Sequence, residues 1–89
     1  MREQLINDAI ERCNVVAAKY GEMPPFPSVR AQLGYLSDLV AGRATDKKRL
    51  KEIILGVQAA REIESLDEPL ADLLYKISAE VDRMLRATD

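Results

Sequence analysis

The sequence predicts an all-α fold, a compact four-helix bundle-like domain with short connections. Apolar residues recur at helical spacing in four successive segments, and that periodicity is the primary signal for amphipathic helices. Strand-type alternation is absent from all of them. Gly, Pro, Ser and Asp punctuate the boundaries, as helix caps and breakers do. The chain has 89 residues, 47% of them apolar and 31% charged. That composition belongs to a globular chain rather than a disordered one. Residues 1–89 therefore form a single domain. At this length roughly 60% of the unfolded surface is buried, enough for a core but not a deep one.

The first helix runs from Glu3 to Tyr20. Leu5, Ile6, Ala9, Ile10, Cys13, Val16, Ala17 and Tyr20 share one face, while Asn7, Glu11, Asn14 and Ala18 share the other, which makes a wide apolar stripe. Gly21 suits the position just past its end. Pro24, Pro25 and Pro27 follow closely, and prolines cannot occupy a helix interior. The loop is therefore expected to be extended and stiff, pinned to the bundle by Met23 and Phe26.

Ser28 is the expected N-cap of the second helix. Val29, Leu33, Leu36 and Val40 form its core stripe, with Leu39 beside them, and Gly42 stops it. The short link Arg43-Ala44-Thr45 makes the next helix an antiparallel neighbour. Thr45 or Asp46 caps that third helix. Leu50, Ile53, Ile54 and Val57 form its main stripe, with Leu55, Ala59 and Ile63 roughly opposite. Gly56 costs about 1 kcal/mol there relative to alanine; it either allows a close helix approach or has no structural use. Asp67 as N-cap and Pro69 in the first turn begin the fourth helix. Its stripe is Leu70, Leu73, Leu74, Ile77, Val81, Met84 and Leu85, and Arg83 and Arg86 suit the dipole at its end. Ala87-Thr88-Asp89 is expected to fray. Leu36 and Ile77 are the expected deepest positions.

The chain has no histidine, no tryptophan and one cysteine, Cys13. A Ser-His or Cys-His pair and a His-ligated metal are therefore excluded, as is an internal disulfide. Cys13 falls on the buried face and reads as a small apolar residue. No apolar stretch reaches the roughly 20 residues needed to span a bilayer. The opening segment Met1-Arg2-Glu3-Gln4-Leu5-Ile6-Asn7-Asp8 breaks into charge at once, so a secretion signal is not expected and a cytoplasmic location is. The formal net charge of −2 gives no global attraction for nucleic acid. The basic run Arg43, Lys47, Lys48, Arg49 and Lys51 reads as an exposed helix start, with contact to phosphate as the alternative, and nucleic-acid binding usually needs a wider basic patch. A helix-turn-helix is not supported, because helix three is too apolar to read bases.

The acidic run Glu62, Glu64, Asp67, Glu68 and Asp72 is sequential around a helix junction. It reads as capping and a solvated face, or as an acidic surface for a basic partner. Tyr35 and Tyr75 lie at the edges of their stripes, where exposed tyrosines serve as binding anchors or as ordinary boundary residues. With no catalytic set, no cofactor and no metal site in view, the chain reads as a binding protein rather than an enzyme.

A family pattern then emerges from Ile6-x-x-Ala9, the tyrosine ending helix one, the proline-bearing loop and Ser28-x-x-x-Gln32-Leu33-x-Tyr35-Leu36. It continues through Gly42-Arg43-x-x-Asp46, Leu50, Leu55-Gly56 and the bend Glu62-x-Glu64-x-x-Asp67. From about Leu5 to Leu85 the chain resembles small helical immunity proteins of bacteria with type VI secretion. The resemblance implies a non-enzymatic cytoplasmic protein that binds the toxin domain of a secreted effector and covers its active-site cleft. The best-known relatives neutralise a toxin that hydrolyses NAD and NADP, so the expected target is an NAD(P)+-hydrolysing or ADP-ribosyltransferase-like toxin. Nucleic acid and membrane are not expected partners.

The resemblance supplies no residue-level site, but electrostatics does. A cleft that holds a pyrophosphate is usually electropositive, so its plug should present carboxylates with an aromatic anchor. Tyr35 with Asp38, and the corner of Glu64, Asp67, Glu68, Asp72 and Tyr75, are the expected partner-binding residues. The competing expectation is a helical adaptor or homodimerisation module that pairs through Leu55 and Ile63. A small enzyme built on carboxylates alone ranks last, because the acidic residues do not visibly converge.

Overall fold

Terminal backbone groups decide where each helix begins and stops. The structure, a computed structural model, describes residues 1–87; Ala87, expected to fray with Thr88 and Asp89, is instead the last residue of the C-terminal helix, and the other two lie outside the described residues. Helix α1 spans Glu3–Tyr20 and buries Leu5, Ile6, Ala9, Cys13, Val16 and Ala17. Gly21 turns the chain out at φ 91°, and its N–H donates to the Ala17 carbonyl at 2.7 Å. With ψ at 168° this is an extended positive-φ conformation that glycine adopts without steric cost.

The proline segment is not extended. The Phe26 N–H donates to the Met23 carbonyl at 3.0 Å, and helix α2, Phe26–Val40, starts within the run. Pro27 sits in the first turn, where backbone N–H groups have no intrahelical acceptor to lose. Phe26 is fully buried and Pro25 is buried beside it, whereas Met23 is exposed, so Phe26 pins the loop and Met23 does not. Ser28 is consequently inside the helix rather than at its cap, and its hydroxyl is free to meet other side chains. Gly42, at φ 81°, ends α2 as expected, and the Asp38 carbonyl accepts from the Arg43 and Ala44 N–H groups at 2.8 and 3.0 Å.

The third segment is not one helix. It forms a 3-10 turn at Lys48–Glu52, an extended residue at Ile53, a short helix α3 at Leu55–Gln58 and a π-turn at Ala59–Ile63. The Lys48 N–H donates to Asp46 Oδ1 at 2.8 Å, so Asp46 caps the 3-10 turn instead of a long helix. The break follows from a side-chain amide: Gln32 Oε1 accepts the Ile54 N–H at 2.8 Å, replacing the intrahelical acceptor. Gln32 Nε2 in turn donates to Gln58 Oε1 at 2.7 Å, and Gln58 Nε2 donates to Ser28 Oγ at 3.0 Å. This break reverses the expected stripe. Leu55, Ala59 and Ile63 join Leu50 in the core, while Ile54 and Val57 are 49% and 53% exposed. Leu55 and Ile63, fully buried within one chain, cannot supply the surface of a homodimer.

Asp67 caps helix α4, Glu68–Ala87, by accepting the Leu70 N–H at 2.9 Å. The same carboxylate takes a two-pronged contact from Arg12 of α1 at 2.6 and 2.9 Å, fixing the start of α4 against α1. The expected α4 stripe holds, with Leu70, Leu74, Ile77 and Val81 buried and Leu73, Met84 and Leu85 packed at its edges. Helix α1 lies against α2 and α4, and α4 also covers α3, the π-turn and the 3-10 turn. The radius of gyration is 12.4 Å, close to the ~12 Å expected for this length. Leu36 and Ile77 are fully buried, as expected.

Two glycines make opposite predictions. A Cβ on Gly56 would lie 2.7 Å from Ser78 Oγ and 3.3 Å from Ser78 Cβ, whereas one on Gly34 would meet nothing within 4 Å. Gly34→Ala should stabilise the fold by about 0.5–1 kcal/mol through helix propensity. Gly56→Val should lower the urea midpoint by forcing α3 from α4. Asp67 adds a pH dependence. The Arg12 hydrogen bond and, more weakly, the Leu70 N–H hold its carboxyl below the ordinary 3.8, against the opposing effect of burial. Its contribution is complete above the unfolded value and lost as pH falls through the lower folded value. Urea melts from about pH 5 to pH 2 should therefore show a steep loss in the native chain and a shallower one in Asp67→Asn.

Candidate functional site

Tyr35 organises the outer side of α2. It projects between the helix and the returning 43–54 segment, and its hydroxyl donates to the Asp46 carbonyl at 2.7 Å. The Arg49 guanidinium lies 5.2 Å from its ring centroid, within cation–π range. Both contacts reduce the freedom of the ring before any partner arrives. Burial pushes the phenol pKa up, with Asp46 adding to the effect and Arg49 opposing it, so Tyr35 stays a neutral donor.

A shallow groove borders this tyrosine on each side. One half is lined by Gly34, Asp38 and Asp46, the other by Glu52, Ile53 and Ile54, and Ala31, Tyr35 and Arg49 line both. Three carboxylates thus surround one aromatic ring. Asp38 Oδ1 accepts from Arg43 Nε at 2.9 Å, in a pair more than half exposed on both sides, and such pairs add little stability. Small side chains at Ala31 and Gly34 keep the groove floor low. Tyr35 and Asp38, paired from the sequence, do share one surface.

The second expected group assembles differently. Glu64 Oε2 accepts the Tyr75 hydroxyl at 2.6 Å, and this bond is the main cause of the raised Tyr75 pKa. Asp67 is engaged by Arg12 and the start of α4, leaving little of it to a partner. Glu68 and Asp72 are exposed. None of these five residues lines the Tyr35 groove.

Asp46, Arg49 and Glu52 complete the groove without having been singled out. Arg49 was hidden in the basic run, and Asp46 had a capping role that accounted for it. Gln32 was visible only as part of a pattern, although a glutamine one turn from a serine on a core-flanking face is a signal for a buried amide network. The arrangement suits contact rather than covalent chemistry. Cys13 is buried and its thiol pKa is raised by that burial, which suppresses the nucleophilic thiolate. Among the described residues, no group of three Cys, Asp or Glu side chains is placed to hold a metal ion, and no helix is long and apolar enough to cross a membrane.

A family model described as Tsi6 matches residues 2–83, a span that includes the whole groove and the acidic corner. No curated protein and no solved structure matches the chain.

Tyr35→Phe should keep the ring in place but release the 43–47 segment. The expected loss is about 0.5–1.5 kcal/mol, the net value of one hydrogen bond. It should be accompanied by faster amide exchange at residues 43–47 and unchanged exchange in α1, measured by NMR.

Proposed function

The chain belongs to the Tsi6 family of type VI secretion immunity proteins, and from that premise we propose that it neutralises its cognate toxin by covering the cleft where a dinucleotide enters. The toxin consumes NAD(P)+, by hydrolysis or by ADP-ribosyl transfer, and the immunity protein meets it in the cytoplasm of the producing cell. The protein performs no catalysis itself. It works by occupying a site.

The observation that carries this reading is the groove, where Asp38, Asp46 and Glu52 border a tyrosine restrained by the Asp46 carbonyl and Arg49. A pocket evolved for a pyrophosphate concentrates cationic side chains and helix N-termini. Its complementary surface carries carboxylates, and a rigid aromatic group loses little entropy on docking. Glu68 and Asp72, exposed at the α4 corner, add negative field that speeds encounter rather than holding the complex. Glu64, Tyr75 and Asp67 act there through the shape of that corner, since their polar groups already have partners.

Co-expression is the direct test. The toxin domain alone should deplete cellular NAD(P)+ and arrest growth, and this chain should restore both. If the chain binds the toxin but NAD(P)+ never falls, the toxin has another substrate; if it neither binds nor rescues, the immunity role itself fails. In purified components, Asp38→Lys should weaken the complex at least about tenfold. Asp72→Lys should mainly slow association at low salt, measured by surface plasmon resonance.

A further inference from the structure

Ile54 and Val57 stand out of the fold because of a built feature, not by default. Gln32 takes the Ile54 N–H, Gln58 holds Gln32, and Ser28 holds Gln58. Gln58 is the buried polar side chain of this region, 8% exposed, and its amide is satisfied on both atoms. Gln58 is buried, Gln32 half-buried and Ser28 exposed, and a polar network whose buried member is fully bonded favours one conformation, whereas a partly bonded one is costly. Here the conformation it fixes is the helix break that turns two apolar side chains to solvent. Single exposed aliphatic residues need no explanation. These two lie one turn apart, and Ile54 continues directly into the Tyr35–Arg49 groove.

Resting on the immunity reading above, we infer that Tyr35, Ile54 and Val57 form the seat of the toxin domain, which presents an apolar patch to them. Tyrosine and arginine at the centre, with aliphatic residues beside them, match the composition of interface anchors. The family selects the occupant, since the partner of an immunity protein is a toxin domain. The border of this face carries both signs, with Asp38, Asp46 and Glu52 beside Arg43 and Arg49, so a second copy is an outcome that the test below separates.

The experiment compares variants of the full chain for binding to the purified toxin domain of the effector encoded beside its gene, using calorimetry. Ile54→Asp with Val57→Asp should weaken binding at least about 100-fold, and Ile54→Ala with Val57→Ala about tenfold. The aspartate at 54 occupies the N-cap position of α3, where it is well tolerated, and the alanine pair guards against misfolding of the charged one. Val15→Asp, at a position equally exposed on α1, should change binding less than about threefold. The inference is overturned if both Ile54/Val57 pairs bind within threefold of the native chain, if Val15→Asp is the damaging change, or if light scattering shows a native dimer that Ile54→Asp dissociates. Native chain that fails to bind the toxin domain at all refutes the immunity reading, and this inference with it.

Discussion

The side-chain amide of Gln32 governs how the second half of this molecule is arranged. By accepting the Ile54 N–H it takes over a bond that a continuous helix would have made within itself. The chain from Lys48 to Ile63 then changes from 3-10 to α to π geometry within a few residues. Each change rotates the following side chains. The result places Leu50, Leu55, Ala59 and Ile63 inward without requiring one straight helix to reach all four. Gly56 permits the close contact with Ser78 of α4, and Asp67, through Arg12, sets where α4 begins.

Charged groups divide by task. Asp67 serves the interior, capping one helix while tying down another. Glu22 does similar work at the opposite connection, where Arg30 grips it with two nitrogens and reaches Asn14 of α1 with a third. Asp38 and Glu52 have no comparable structural duty, and their surroundings remain wet. The same division runs through the acidic run, where Asp67 is engaged by Arg12 and the Leu70 N–H while Glu68 and Asp72 stay exposed. An acidic run read as one unit conflates them.

Much of the architecture was legible in the sequence, and the reasons are local. Helix α1 has a clean apolar stripe and a glycine stop, and α4 has a proline near its start and a cap that needs only one side chain and one N–H. Those signals act over a few residues, so periodicity captures them. The third segment was misread because its geometry is imposed from α2, a residue pair separated by 22 positions. Periodicity counts along the chain and has no access to a hydrogen bond arriving from elsewhere. The early start of α2 was missed for a different reason: proline is a breaker inside a helix but harmless in its first turn, and the composition of 24–27 does not say which applies. Of the candidate site, Tyr35 and Asp38 were visible because they share a helix face. Asp46, Arg49 and Glu52 join them only once the chain has folded back.

The anchor of Tyr35 is a main-chain oxygen, and every amino acid at position 46 offers one. Substitution there keeps the acceptor of the ring but gives up the carboxylate that takes the Lys48 N–H. Position 38 is freer, because its exposed pair with Arg43 contributes little to folding. A lineage confronted with an altered adversary can thus rewrite the electrical character of this surface at 38 with the mechanical frame untouched, whereas a change at 46 also loosens the turn that follows.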